Sequence, residues 1–392
     1  VADEDEIGPT RRVKRLVPAQ SQPSEGAKKA APAPRETSAY EREIREARKA
    51  CLDAGGEAFG GFVLLGDIGK GGMSEVRLAV EIAEIGALRL CVIKRAKPGA
   101  EATLLDEGRL LRRLLHRNVV ELYATGTIDG RAFLSFELID GLSLRQIERL
   151  LLDEPLPLAP VLEIGARAAE GLAYVHGARD GQGTRLHVVH RDISPENVLV
   201  SREGVVKLVD FGIARYADRS AMTQLGYIKG KLGYLAPEQI ALDVGPIGPS
   251  TDVFALGLVI AELVAWQRLL PAKMLIAADM PELLRERCGS APPALIELLT
   301  AMTATDPAVR PSAESVAHAL DGMRAAIDPP GPTIATLAKD RLFAKLLPID
   351  LATVLELPTK RVQKLDTPKD DAEIEAPYSA TMEALARVRR KA

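Results

Sequence analysis

The 392-residue chain has a net charge of -3, with 47% hydrophobic and 27% charged residues. This is the balance of a water-soluble globular protein of one large domain or two to three small ones, and it argues against a dedicated nucleic-acid binder, which would be basic. Three scattered cysteines, Cys51, Cys91 and Cys288, lack metal-ligand or disulfide spacing and fit a reducing, cytoplasmic setting. The most apolar run, 253–266, is interrupted by Glu262 and falls short of the roughly 20 residues that span a bilayer.

Residues 1–38 read as a disordered tail, because Pro9, Pro18, Pro23, Pro32 and Pro34 sit among small and charged residues with almost nothing apolar. Residues 38–52 predict a helix, with Glu and Arg three and four apart and Gly55-Gly56 ending it. This helix lies in an N-terminal extension, 39–59. From residue 60 the pattern is that of an antiparallel sheet. Two apolar runs flank Gly69-Lys70-Gly71-Gly72-Met73-Ser74-Glu75-Val76. Glycines between two strands let backbone N–H groups approach phosphate oxygens closely. No Gly-Lys-Ser/Thr follows, so this is not a Walker A loop. A strand follows instead of a helix and Ser74 replaces a third glycine, which disfavours a dinucleotide fingerprint.

Cys91-Val92-Ile93-Lys94 predicts a strand ending in a cation, and residues 103–115 predict a helix carrying Glu107. The run 133–141, Phe-Leu-Ser-Phe-Glu-Leu-Ile-Asp-Gly, is an apolar strand breaking into a turn. Helical patterns follow at 144–152 and 160–176, and then a polar insertion at 177–187. In 188–212, His190-Arg191-Asp192-Ile193-Ser194-Pro195-Glu196-Asn197 and Asp210-Phe211-Gly212 bracket two β-branched runs around Ser201-Arg202-Glu203-Gly204. Such runs around a Gly-bearing turn predict a hairpin. The hairpin would bring Asp192, Asn197 and Asp210 to one floor, where three oxygen-bearing side chains suit a hard divalent cation and a proton-accepting base. Ala236-Pro237-Glu238 closes the following segment. Asp252 opens an apolar helix, and Asp306 to Ser312 carries Arg310. A Pro-rich break at 329–332 ends the domain near Ala325, and 326–392 is a tail with an amphipathic stretch at 337–347.

These motifs, in this order over about residues 60–325, resemble the bacterial serine/threonine protein kinases of the eukaryotic-like type. The resemblance implies an α+β, two-lobed fold. A small antiparallel-sheet N-lobe would occupy 60–136, and the hinge and a helical C-lobe 137–325. It implies transfer of the γ-phosphoryl of ATP, with Mg2+, to hydroxyls of proteins, the chain itself among them. Gly69, Gly71 and Gly72 would cover the phosphates. Lys94, steadied by Glu107, would orient them. Val76, Val92 and Leu199 would sandwich the adenine, Phe136 would guard the back of its pocket, and the backbones of Glu137 and Ile139 would bond its edge. Asn197 and Asp210 would hold magnesium, and Asp192 would be the base. Arg310 would pair with Glu238, and Asp252 would hold the turn around His190. Thr223 is the candidate activating phosphosite, its phosphate bridging Arg191 and Arg215, with Ser220 and Tyr227 as rival positions. In two places the chain departs from the family: Ser194 stands where a lysine is usual and Lys231 where a threonine is usual, which implies an exchange of the two roles. The two tails are candidate sites for regulators. The alternative class is a pseudokinase scaffold that binds nucleotide without turnover; a kinase-like enzyme acting on small molecules is disfavoured by Ala236-Pro237-Glu238.

Overall fold

The computed structural model describes residues 39–53, 55–70, 73–82, 88–152, 154–212, 232–240, 244–269, 279–344, 346 and 349. An N-terminal helix, α1 (Ala39–Asp53), ends where the N–H groups of Gly55 and Gly56 bond the carbonyls of Leu52 and Cys51. Six strands follow: β1 (Glu57–Phe59), β2 (Phe62–Lys70), β3 (Ser74–Ile82), β4 (Leu88–Ala96), β5 (Leu122–Ile128) and β6 (Arg131–Glu137). They form one antiparallel sheet in the order β1-β2-β3-β4-β6-β5. The two-residue period of a strand sorts this sheet into two faces. Leu64, Ala79, Cys91, Ile93 and Phe133 pack on one face, and Val63, Val76, Leu78, Val92 and Leu134 on the other.

The helix α2 (Glu101–Leu111) crosses the second face. Its buried residues are Leu104, Glu107, Gly108 and Leu111, which is the spacing of one helical stripe. The helix is shorter than the predicted 103–115 and shifted toward the N-terminus. It begins at Glu101, whose carboxylate accepts the Gly99 N–H at 2.8 Å. It ends at Leu111, after which the N–H groups of Arg113 and Leu114 bond the carbonyls of Leu110 and Leu111, three residues back, and the Leu115 N–H bonds the Tyr174 hydroxyl.

The second half is helical around a small three-stranded sheet. Strands β7 (Gly141–Ser143), β8 (Val198–Ser201) and β9 (Val206–Leu208) pair in that order, and β8 and β9 form the predicted hairpin. The described helices are α3 (Leu144–Leu151), α4 (Leu158–Gly177), α5 (Pro237–Ile240), α6 (Pro249–Ala265), α7 (Met280–Arg287), α8 (Pro293–Met302), α9 (Ala313–Ala325) and α10 (Ile334–Leu337). α3 opens on a capping box between Ser143 and Gln146. α4 starts before the predicted Pro160 because a proline in the first turn removes an N–H that has no helical partner anyway. α6 is buried from Thr251 through Leu263 and is the pillar of this lobe. Its core includes residues of α4, α8 and α9, and continues past Ala325 to Leu337, Phe343 and Leu346. The antiparallel-sheet lobe and the helical lobe are the α+β architecture expected. Among the described residues no helix is long and apolar enough to cross a membrane.

Candidate active site

The cleft is built from strand register. Val76 of β3 lies opposite Lys94 of β4, and Val92 lies opposite Phe136 of β6. Val92 and Lys94 are two apart and share the inner face. The cleft is open to solvent and is lined by Val76, Val92, Lys94, Val120, Phe136, Asn197, Val209 and Asp210. An apolar box with a cation, an amide and a carboxylate at one end is the usual form of a small-molecule site. Leu199 and Ile139 are buried in the cluster that backs this box. The Glu137 N–H is committed to the Glu121 carbonyl at 3.0 Å.

At the polar end, the Lys94 ammonium stands 2.8 Å from Glu107 Oε1 and 3.1 Å from Asp210 Oδ1. Burial alone would lower the Lys94 pKa, but the two carboxylates together outweigh it and hold the pKa above its ordinary value. The amine is therefore a fixed cation. The short link between Lys94 and Glu107 suffices because residues 97–100 make one turn, closed by the Ala100 N–H on the Lys97 carbonyl.

The floor is set by the hairpin. The Asn197 amide donates to the Asp192 carbonyl at 2.7 Å and to Asp192 Oδ2 at 2.9 Å. The Val209 N–H bonds the Asn197 carbonyl, which ties one end of the hairpin to the other. Gly212 lies so close that a Cβ there would come within 3.0 Å of Asp192 Cβ and 3.2 Å of the His190 carbonyl. Asp210 and Arg191 both have positive φ, at 56° and 66°. Such conformations persist only where the surroundings hold them. The Asp252 carboxylate does so for the turn at Arg191: it accepts the N–H of His190 at 2.8 Å, the N–H of Arg191 at 2.7 Å, and His176 Nε2 at 2.8 Å. This is the role expected of Asp252.

His190 is a neutral spacer. Its Nε2 faces the Val209 carbonyl and must donate, and its Nδ1 faces the Asp192 N–H and must accept. Burial pushes its pKa down, consistent with a single ring proton. Its ring packs against Phe211 with centroids 4.3 Å apart.

Asn197 Oδ1 is buried and has no partner among the described residues. Together with the Asp210 carboxylate it offers hard oxygen donors of the kind Mg2+ takes alongside phosphate and water. The residues present fit that ion. Ser194 is buried, with its hydroxyl likewise unpartnered, on the wall of a second crevice that also includes Asp192, Tyr234 and Leu235. Thr223, Arg215, Lys231, Gly71 and Gly72 lie outside the described residues. Of the predicted glycines Gly69 is described, in register with Val76.

Two pairings stand behind the floor. Arg310 forks onto Glu238, with nitrogen–oxygen distances of 2.6 and 2.9 Å, as expected from sequence. Arg145 of α3 was not foreseen. Its guanidinium meets Glu148, Glu196 and the Tyr234 hydroxyl, and its N–H bonds the Pro195 carbonyl. It thereby joins the turn between Asp192 and Asn197 to the segment before α5. Val120 and Val209 also went unread as cleft walls. Val209 was findable, since it directly precedes Asp210; Val120 and Arg145 are brought in only by packing.

Residues 62–320 match the family described as Protein kinase domain. The chain is similar to tyrosine-protein kinase MasK of Myxococcus xanthus, 36% identical over 216 residues that cover 53% of this chain and 33% of that one. It is also similar to two serine/threonine-protein kinases of Mycobacterium tuberculosis. PknD is 33% identical over 270 residues, covering 65% of this chain and 38% of that one. PknL is 32% identical over 277 residues, covering 66% and 64%. The aligned region thus spans less than two thirds of each of these relatives. Among solved structures, the kinase domain of M. tuberculosis PknI matches with a TM-score of 0.52 at 24% identity, over 68% of this chain and 98% of that one, a likeness of fold.

Proposed function

The chain belongs to the protein kinase family, and on that premise we propose that it transfers the γ-phosphoryl of ATP to serine and threonine hydroxyls of proteins, with Mg2+ bound at Asn197 and Asp210. The observation that carries this reading is the Lys94 ammonium set between Glu107 and Asp210 at the mouth of an apolar cleft, with Asp192 held beside Asn197 on the floor. A pseudokinase scaffold would have no use for this full set.

The transition state of phosphoryl transfer is loose and anionic, so positioning and charge stabilisation do most of the work. Val76, Val92, Phe136 and Leu199 take the adenine, with the backbone of Ile139 and Glu137 at its edge. Gly69, Gly71 and Gly72 cover the phosphates. Lys94 orients the phosphate oxygens, and Glu107 keeps its ammonium from swinging away. Magnesium, where bound, neutralises charge on the phosphate oxygens. Asp192, oriented by the Asn197 amide, accepts the proton of the substrate hydroxyl as it attacks. Phosphorylation of Thr223, pairing with Arg191 and Arg215, would organise the segment after Asp210; a phosphate brings about -1.5 to -2 charges to such a basic pair. The three thiols of Cys51, Cys91 and Cys288, all free and buried, fit a reducing cytoplasm. Transfer from labelled ATP to the chain itself and to a generic protein, followed by phosphoamino-acid analysis, tests the reading. Label on serine or threonine that is lost in Asp192→Asn supports it. Label on tyrosine would shift the acceptor, and no transfer with intact nucleotide binding would leave the scaffold reading. A phosphosite map with Thr223 bare in the active protein would remove the regulatory step.

A further inference from the structure

The domain match stops at residue 320, but the packed protein does not. After the turn at 326–333 the chain folds back. The Thr333 side chain caps α10, which continues as a wider helical turn, Ala338–Leu342. Leu337, Ala338, Leu342, Phe343 and Leu346 are buried in the same core as Leu142 of β7 and Val200 and Val206 of the hairpin. The Ile334 N–H bonds Glu163 of α4 at 2.9 Å, and Arg341 pairs with Glu154. The hairpin turn is pressed against α10. Gly204 has φ +79°, and a Cβ there would lie 2.4 Å from Ala335 Cα and 2.6 Å from its nitrogen. This segment is therefore an integral part of the helical lobe.

Its far end reaches the connector between the lobes. Arg202, on the hairpin turn, donates its backbone N–H to the Asp140 carbonyl at 2.8 Å and its Nε to Asp140 Oδ2 at 2.9 Å. Its Nη1 donates to the carbonyls of Leu346 at 3.0 Å and Phe343 at 3.4 Å, and its guanidinium lies over the Phe343 ring, 4.8 Å from the centroid. Asp140 Oδ2 also accepts the N–H of Ile349 at 3.2 Å. The Ile349 side chain packs against the cluster that holds Val76, Val92, Phe136, Ile139 and Leu199. One side chain, Arg202, thus ties the connector residue next to Ile139 to the folded-back segment, and Ile349 rests on the hydrophobic cluster to which the cleft residues belong.

We propose that residues 334–344, with Leu346 and Ile349, are a strap that fixes the connector around Ile139 and Asp140, and that Arg202 is a positioning residue for nucleotide binding. This rests on the reading of the cleft as the nucleotide site. The physical reason is preorganisation. A connector held in place before the ligand arrives loses less conformational freedom on binding, and that saving appears as affinity. A planar fork that bonds carbonyls on one side and a carboxylate on the other suits arginine and not lysine.

The test uses the full chain with Arg202→Ala, Arg202→Lys and Ile349→Asp. ADP with Mg2+ is titrated by calorimetry, and amide hydrogen exchange is followed at 139–142 without nucleotide. Arg202→Ala and Ile349→Asp should each weaken ADP about three- to tenfold, with Arg202→Lys between them and the wild type. Exchange at 139–142 should speed up in the same order. In turnover, KM for ATP should rise while kcat at saturating ATP stays within about twofold, since the strap acts on ground-state binding. Unchanged or tighter ADP binding in both Arg202→Ala and Ile349→Asp overturns the proposal, as does a fall in kcat with KM unmoved. If the wild type itself fails to bind ADP, the nucleotide reading falls instead. The strap is then judged by exchange alone, and unaltered exchange at 139–142 overturns it. Where a variant does not fold, as read from its melting curve, the remaining substitutions decide.

Discussion

Two charged clusters, one in the cleft and one behind it, contain the same kinds of group and do opposite things. Behind the floor, Glu238 and Arg310 are sealed, both side chains 0% exposed. One guanidinium meets one carboxylate through both prongs. The remaining Arg310 donors go to the carbonyls of Ala304, Ser250 and Thr305, and Glu238 also accepts from Thr251. Nothing is left over. In the cleft one ammonium serves two carboxylates, Asp210 is partly exposed, and the Asn197 oxygen has no partner among the described residues. A closed arrangement of charge fixes structure, because any further ligand would disrupt bonds already made. An arrangement with net negative charge and an amide oxygen still without a bond is left able to take a cation and, with it, a polyanion. Burial does not distinguish the two, since Glu107 is as deeply buried as Glu238. What distinguishes them is whether the hydrogen-bonding capacity is used up.

This contrast is tested most severely at the sealed pair. Arg310→Ala leaves Glu238 buried without its counter-charge and should lower unfolding free energy by about 3–5 kcal/mol in denaturant titrations. Replacing both, as Arg310→Met with Glu238→Leu, should recover most of that loss, since two apolar groups leave no uncompensated charge. Turnover per folded molecule should change far less than stability. A double variant as unstable as Arg310→Ala would show that the pair is more than a closed electrostatic unit.

At the open cluster the expectation reverses. Asp192→Asn should lower kcat by about 10²–10³ with an unchanged melting curve. Lys94→Met should lose activity to a similar degree and also stability, because Glu107 is left buried beside Asp210. Adding Glu107→Leu should return stability but not activity. Activity regained in that double variant would erase the distinction between the two clusters.

A smaller effect is expected at the departure from the family pattern, where the exchange read from the sequence has Lys231 supply the positive charge near Asp192 that a lysine at position 194 would give, with Ser194 as its hydrogen-bond partner. Lys231→Met should lower kcat by about 10². Ser194→Lys with Lys231→Thr should do better than the product of the single changes, since residues of one network are not additive. Additive losses, or a normal kcat in Lys231→Met, would refute the exchange.

The smallest effect is that of pH on stability, and its sign follows from linkage. His190 is held neutral by burial, below its ordinary 6.5. The unfolded chain therefore binds the extra proton first, and stability falls as pH drops below about 6.5. Glu238 feels burial, which raises its pKa, but Arg310 and Thr251 outweigh it and the folded value lies below 4.5. Its contribution is complete above the ordinary value and is lost as pH falls through the lowered one. Melting curves taken downward from neutral pH should therefore show a first decline to which His190 contributes and a second, at lower pH, that is smaller in the Arg310→Met, Glu238→Leu variant. A second decline undiminished there would assign it to other groups.

The order of these motifs made the fold and the identity of the central side chains legible without coordinates. Lys94, Asp192, Asn197 and Asp210 stand in short runs whose local conformation is dictated by neighbours in sequence. Strand alternation places Val92 and Lys94 on one face, and β-branched runs about Gly204 make the hairpin. The pairing of Arg310 with Glu238 was legible too, but only through the resemblance, since 72 residues separate the partners. What sequence did not show were contacts that depend on how elements pack. Arg145 reads as one more helix-surface arginine, yet the crossing of α3 under the turn at 192–197 buries it among Glu148, Glu196 and Tyr234. Val120 reads as a generic apolar residue until the sheet folds over it. The segment after Pro332 shows an amphipathic stripe, and a stripe says that one face will be covered without saying by what. The partner was decided by the shape of the hairpin. Gly204 leaves room for α10 to lie against the turn, and Arg202 points where it can hold the segment and Asp140 at once. Periodicity and turn chemistry are local and can be read along a chain; which distant surface completes an arginine's hydrogen bonds is a property of three-dimensional packing alone.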